Sequence, residues 1–271
     1  MTIELEAVER AEIETLHAAA TDAVRNELGL ACETIGTALV SIAAKVPPSG
    51  IVVNRAIGLG VGKSERPETI EAIIDRYRVA GVGRYFVHVH PESRPADIRR
   101  WLLDRRLEKA RGWMKFTRGR EAPPSVKSSV TVRRARPGDM AAFGRIAAAA
   151  FDLGDKAAEW IACLDRAGDW RMYVSVVDDE VVGTGGLFVR DSIGWLDFGS
   201  TTPQQRGKGS QSALLRQRVL DALDLGCRLI GTATGEAIEG DPQHSYRNIT
   251  KMGFREAYLR ENYAPSRQSE R

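Results

Sequence analysis

The chain has 271 residues, 43% hydrophobic and 28% charged, with a formal net charge of +3. That length accommodates one large or two small domains of ordinary globular composition. The slight charge points away from polyphosphate or nucleic-acid partners, no apolar run is long enough to span a bilayer, and three widely spaced cysteines without metal-type pairing fit a reduced, cytoplasmic setting.

The N-terminus, Met1 to Leu28, carries many acids and no apolar core followed by a cleavage site. It reads as an amphipathic helix whose apolar side holds Leu5, Val8, Leu16, Ala20 and Val24. Strands are expected at 36–44 and 51–59. Pro67 to Val79 reads as a helix, with Pro67 in its first turn and Ile70, Ile73, Ile74 and Tyr77 on one side. A strand at 85–90, a helix at 95–110 and a short strand at 113–117 complete this half. Gly62-Lys63-Ser64 does not make a Walker A loop, because Ile57 stands where the leading glycine belongs. His88 and His90 share a face of their strand. A metal would need a third ligand, and only His17 and His244 remain, so a structural histidine pair is the expectation.

Residues 118–129 have linker composition, with Gly119, Pro123, Pro124 and three serines. The chain therefore divides into 1–122, a linker at 123–129, and 130–271. In the second part, Val132 to Asp139 reads as a strand and its turn into a helix, with Asp139 a candidate N-cap. Met172–Val177 and Val181–Val189 flank the acidic turn Asp178-Asp179-Glu180. A strand from Ile193 to Thr201 and a helix from Ser210 to Leu225 bracket Arg206-Gly207-Lys208-Gly209-Ser210. Small residues let the backbone approach a ligand, the helix start aims unpaired N–H groups and the positive dipole end the same way, and Arg206 and Lys208 add charge. Such a turn suits a phosphate or pyrophosphate. A dinucleotide fingerprint is absent.

The turn resembles the pyrophosphate loop of the GNAT superfamily of acyl-CoA-dependent N-acyltransferases, which reads Gln/Arg-x-x-Gly-x-Gly/Ala. Gln204-x-x-Gly207-x-Gly209 satisfies that pattern, and Arg206-x-x-Gly209-x-Gln211 is the register preferred here because Ser212-Ala213-Leu214-Leu215 then matches the family's helix start. Gln211 departs from the small residue usual there. The likeness extends from Thr131 to Tyr263, through a fifth strand at 228–234 and the Ser245-to-Phe254 stretch that resembles the family's closing helix and Gly-Phe. It implies a mixed α/β fold with a mostly antiparallel sheet flanked by helices. The first half repeats the order of strand, glycine-bearing turn, helix and strand, which suggests two such halves in tandem. Its turn, Gly58 to Pro67, carries Glu65 against an anion and loses an N–H at Pro67, so it reads as a wall or dimerising half and not as a second active site.

The resemblance implies an acetyltransferase that moves an acetyl group from acetyl-CoA to an amine of a small molecule or protein, without a metal, membrane or nucleic acid, and with a homodimer possible. It implies backbone contacts to the pantetheine arm from Gly199, Ser200 and Thr201, and to the pyrophosphate from Arg206, Gly207, Lys208, Gly209, Ser210 and Gln211. The attacking amine must be neutral, which calls for a base; Asp197, and Glu236 beyond the fifth strand, are the two candidates. Many relatives place a tyrosine acid where Ile249 stands; Tyr246, one turn earlier, or water would replace it. Pro242 stands where relatives have a pantetheine-binding asparagine, leaving Asn248 as a substitute or as a packing residue. Residues 151–170 should form the near wall, with Asp152, Asp155 and Glu159 either attracting a cationic amine or lying on a solvated face. Glu239 and Asp241 extend an acidic stretch at the mouth. The final strand is expected at 258–263, with 265–271 as a frayed end. The departures at Ile249 and Pro242 motivate an alternative, a non-catalytic acyl-CoA sensor or regulatory protein.

Overall fold

The computed structural model describes residues 2–266. The first half runs α1 (Thr2–Ala19), α2 (Asp22–Leu28), β1 (Leu30–Ile35), β2 (Ala38–Ala43), β3 (Arg55–Ile57), α3 (Pro67–Val79), β4 (Phe86–Val89), α4 (Ile98–Asp104) and β5 (Leu107–Arg118). The second runs β6 (Thr131–Arg134), α5 (Met140–Ala150), α6 (Ala157–Ala162), β7 (Trp170–Val177), β8 (Glu180–Arg190), β9 (Ile193–Thr201), α7 (Ser210–Asp224), β10 (Leu229–Gly235), α8 (His244–Lys251) and β11 (Arg255–Pro265). No helix or strand occupies residues 119–130. Of the expected frayed end, residues 267–271 lie outside the described residues.

All eleven strands form one sheet in the order β1-β2-β3-β4-β11-β5-β10-β9-β8-β7-β6. The order is nearly symmetric about the β11/β5 seam. Outward from it on each side come a strand, then a parallel pair (β4 with β3, β10 with β9), then antiparallel hairpins. Each half ends in a strand that crosses to the other: β11 pairs with β4, and β5 pairs with β10. The two halves are therefore joined through exchanged final strands.

This exchange explains where local signals mislead. Residues 107–110, expected to continue a helix, begin the twelve-residue β5 instead. Helix α4 stops at Asp104 and Arg106 takes a left-handed backbone. The apolar alternation at 113–117 is only the middle of a strand whose length is set by two neighbours, β10 and β11. The strand expected at 51–59 shrinks to β3, because Pro48–Val53 forms a 3-10 turn. Residues 30–35, not anticipated, pair with β2 as an edge strand. The hairpin at Asp178-Asp179 is as expected, with both aspartates at positive φ, the twist that closes a two-residue hairpin. Asp139 does not cap α5 with its side chain. Its carboxylate accepts the Arg136 N–H and pairs with Arg133.

Alternation along the second half's strands divides two cores. Met172, Val174, Phe188 and Trp195 face Leu5, Phe143 and Trp160 of α1, α5 and α6. Tyr173, Leu187, Leu196 and Ile230 face Leu214, Val219 and Ile249 of α7 and α8. Helix α1 thus crosses from its own half onto the other's sheet. It lies so close to β10 that a Cβ on Gly231 would come within 2.7 Å of the Leu5 side chain. Leu5, Val8, Leu16 and Val24 are buried as expected, but Glu6, Glu9 and Glu12 are buried with them. Among the described residues no helix is long and apolar enough to cross a membrane.

His17, at the end of α1, is also buried. Ser41 Oγ donates to the Val53 carbonyl at 2.7 Å, so His17 Nε2–H is the donor in its 2.8 Å bond to Ser41, and the neutral ring leaves Nδ1 unprotonated. Burial, with Arg25 and Arg55 adding repulsion, lowers its pKa to about 4. The unfolded chain then binds the extra proton between pH 6.5 and 4, so stability falls as pH falls through that window, by about 3 kcal/mol in full. Urea unfolding of His17→Gln against the parent at pH 7 and pH 4.5 should show a flatter pH dependence in the variant.

Candidate active site

Strand β9 bulges at its centre. Its register against β8 slips between Thr184 and Gly186, leaving Phe198 and Gly199 opposite Gly185, and Phe198 takes φ 53°. The parallel pairing of β9 with β10 ends at Leu196 and Thr232. Beyond that point the strands part, and β10 continues alongside β5. The carbonyls displaced by the bulge are held from beneath by Arg218 of α7, which donates to Gly186 O at 3.2 Å and Asp197 O at 3.0 Å. Burial of that guanidinium lowers its pKa to about 10, against the pull of Asp197 and Tyr173.

The phosphate-type turn stands beside the open edge of β9. Gly207 and Gly209 both have positive φ, and Gly209 begins α7 without a side-chain cap. The Arg206 N–H goes to Pro203 O and the Ala213 N–H to Gly209 O, which leaves the intervening amides at the helix start, where no intrahelical acceptor exists. Arg206 and Lys208 are exposed. Ser210 turns inward to Ser175 Oγ at 2.8 Å, with Thr201 within reach. The side chain of Gln211, the residue that departs from the family pattern, donates to Thr201 Oγ1 at 3.2 Å and lies over Gly199, away from the turn's exposed cations.

A cavity of about 310 Å³ runs from this parting into the seam between the halves. Asp197, Gly199, Gln211 and Asn248 line it, as does Ile249 at the place of the expected acid. Its far wall belongs to the first half: Glu9, Glu12, Val52, Val53, Arg55 and Trp113. Asp197 Oδ1 accepts the Phe198 N–H at 2.6 Å, and burial raises its pKa, opposed by Arg55. From the 151–170 segment, Phe151 and Leu153 reach the cavity, whereas Asp152, Asp155 and Glu159 are exposed.

Two expected site residues stand elsewhere. Glu236 does not line the cavity; its carboxylate accepts the Gly112 N–H at 3.0 Å while Arg111 holds its carbonyl and Asp241, so the acidic stretch is tied to β5. Tyr246 packs on Phe116 and its hydroxyl donates to Glu256, facing away from the cavity. The cavity-lining residues that the sequence did not reveal include Arg218 and, from α1, Glu9 and Glu12. Glu9 accepts from Arg55 (3.0 Å), Arg260 (2.7 and 3.0 Å) and Lys115. Burial alone would raise it, but Arg260, Lys115 and Arg55 together hold it well below the usual carboxylate range.

A second cavity of about 310 Å³ lies beside the first half's turn, lined by Glu6, Arg10, Glu14, Gly58 and Val61, but there α1 side chains take the place an anion would need. Glu6 accepts the Gly58 N–H at 3.2 Å, Arg10 lies against Gly58, and Glu65 accepts from Thr37 and Thr69. His88 and His90 are buried, His88 against Asn262 at 2.6 Å and His90 accepting the Glu92 N–H at 3.0 Å. Among the described residues no three potential ligands gather in a metal-holding group.

No protein-family model and no curated protein matches the chain. Solved structures do. A GCN5-related N-acetyltransferase from Kribbella flavida superposes with a TM-score of 0.60 at 13% identity, covering 93% of this chain and 95% of that one. A tandem GNAT protein from the clavulanic acid biosynthesis pathway superposes at 0.56 and 13% identity, covering 84% and 77%. A GNAT-family acetyltransferase from Colwellia psychrerythraea gives 0.54 and 12%, covering 85% and 81%. The fold is that of the GNAT acetyltransferases.

Proposed function

We propose that the protein is an N-acetyltransferase that moves the acetyl group of acetyl-CoA to the primary amine of a small molecule. In this reading 130–271 carries the cosubstrate, 1–122 closes the acceptor chamber, and 123–129 joins them. The observation that carries it is the cavity leading from the parted β9/β10 edge beside the phosphate-type turn to buried carboxyl groups. The residues present fit acetyl-CoA. The amides from Gly207 to Gln211, with Arg206 and Lys208, would hold the pyrophosphate. The free edge of β9 at Gly199 to Thr201 would pair with the pantetheine arm, and Asn248 lines its path.

Asp197 stands at the bulge where the thioester would end. Its raised pKa suits a base that must draw a proton from an amine near neutral pH. With Ile249 in the cavity and Tyr246 turned outward, protonation of the leaving thiolate falls to water or to the amine's own second proton.

Incubation with acetyl-CoA and a panel of primary amines, following free thiol, tests the reading. Turnover should appear, and Asp197→Asn should lower kcat/KM by roughly 100-fold without weakening acetyl-CoA binding. Tight acetyl-CoA binding with no thiol release on any amine would favour the sensor reading.

A further inference from the structure

The inner chamber holds a buried acid that its neighbours leave unsatisfied. Glu9 takes hydrogen bonds from Arg55, Lys115 and Arg260. Glu12, one turn further along α1, is 1% exposed and lines the cavity. Its only charged contact is the other arm of Arg55 at 3.6 Å, too long for a hydrogen bond, and its Oε2 has no hydrogen-bond partner among the described residues. A buried acceptor in this condition carries the full cost of lost hydration until something donates to it.

We propose that Glu12 holds the ammonium of the acceptor and takes its proton, and that the acceptor is a compact monoamine with an apolar or aromatic body. This rests on the transfer reading and adds to it a base from the opposite half and a substrate class. The body is compact because about 310 Å³ must also admit the thioester end. It is apolar because Val52, Val53, Phe151, Leu153 and Trp113 form the walls. It carries no carboxylate because both cations on the lining are engaged, Arg55 with Glu9 and Arg218 with three carbonyls.

Glu12 accepts one proton from R–NH3+. The nitrogen lone pair then bonds to the thioester carbon while the carbonyl π pair moves to oxygen. On collapse the C–S bond breaks, sulfur keeps its pair, and Asp197 draws the nitrogen's second proton and passes it through water to sulfur. The products are the amide and the free thiol, and Glu12 gives its proton to solvent when the next ammonium binds. Four ionisable groups act on Glu12: Glu9 of α1, Arg55 of β3, Lys115 of β5 and Asp197 of β9. Burial first, then Asp197 and Glu9, raise its pKa well above the carboxylate range against Arg55 and Lys115. The shift favours the protonated acid in the empty chamber, and an ammonium that binds the carboxylate displaces its proton.

Isothermal titration with hexylamine, 2-phenylethylamine and phenylalanine, in two buffers of different ionisation enthalpy, tests this. The monoamines should bind with proton release and phenylalanine at least about tenfold more weakly. Glu12→Gln should abolish the proton release, weaken monoamine binding about tenfold and lower kcat/KM roughly 100-fold, with acetyl-CoA affinity unchanged. Glu12→Asp should restore part of the proton release. The Gln variant should fold with a thermal midpoint no lower than the parent's, since it removes a carboxyl that burial disfavours. Absence of monoamine binding, or equal affinity and proton release in Glu12→Gln, overturns the inference. Failure to bind acetyl-CoA, read in a separate titration, overturns the transfer reading instead.

Discussion

Replacing Arg260 with methionine is expected to remove about 3–5 kcal/mol of folding stability at pH 7, because it strips compensation from buried charge. Arg260 lies on β11, the strand that crosses into the first half, and is fully buried. Its guanidinium bonds Glu6 at 3.2 Å and Glu9 at 2.7 and 3.0 Å, and stacks 5.4 Å from the Trp113 ring. Methionine fills much of that volume without donors. Glu9 keeps Arg55 and Lys115, but Glu6 retains only the Tyr258 hydroxyl and the Gly58 N–H. The sign with pH follows from Glu9, whose folded pKa is depressed. Its contribution is present above its unfolded pKa and is lost as pH falls through the folded value. The gap between parent and variant should therefore be widest at neutral pH and narrow below about pH 4.5. Urea unfolding at pH 7 and pH 4 measures both points, and a loss under 1 kcal/mol at pH 7 would show that the seam is held by packing alone.

That network also marks where sequence reading stops. The second half was legible because its signals are local. The alternation of β7 to β9, the two-residue aspartate turn, and the glycines ahead of α7 each depend on neighbours a few residues away. The start and end of β9 match the expected strand at 193–201. The α1 acids fail the same test. Glu6, Glu9 and Glu12 recur every three residues on the stripe that also holds Leu5 and Val8, so the helix buries acids beside its apolar positions. Acids on a helix ordinarily mark its solvated face. Here they are buried because Arg55, Lys115 and Arg260 wait on three strands, two of them the exchanged pair β5 and β11. Strand exchange leaves no periodic trace, so neither the partners nor the chamber they enclose was readable. Arg218 was missed for a related reason. A charged residue on a helix is ordinarily read as exposed, and what draws this one inward is a bulge on β9. Tyr246 and Glu236 show the converse. Their positions in the chain are close to those of site residues, yet Glu256 and Gly112 lie nearer to them than the cavity does.

Reversing both charges on the phosphate-type turn, Arg206→Glu with Lys208→Glu, should weaken acetyl-CoA binding by roughly 100- to 1,000-fold, since two attractive contacts to the diphosphate become repulsive at a helix start that favours anions. Both side chains are exposed, and Lys208 reaches only Gln205, at 2.7 Å, so the fold should survive the exchange. The loss should fall on the KM for acetyl-CoA, with kcat at saturation nearly unchanged, because the turn lies apart from Asp197 and Glu12. Binding by the parent should weaken as salt rises and that of the variant should not. Backbone changes separate charge from shape. Gly207 has open space where a Cβ would stand, so Gly207→Ala bears only the cost of a left-handed backbone, about 1–2 kcal/mol. Gly209 has the same handedness, but a Cβ there would meet the Lys127 carbonyl at 2.8 Å, so Gly209→Val must displace the linker and misdirect the amides. The expected order of acetyl-CoA affinity is parent, Gly207→Ala, then Gly209→Val and the double reversal together. Parent-like affinity in the double reversal at low salt would place the diphosphate elsewhere and remove the ground for reading this turn as its holder.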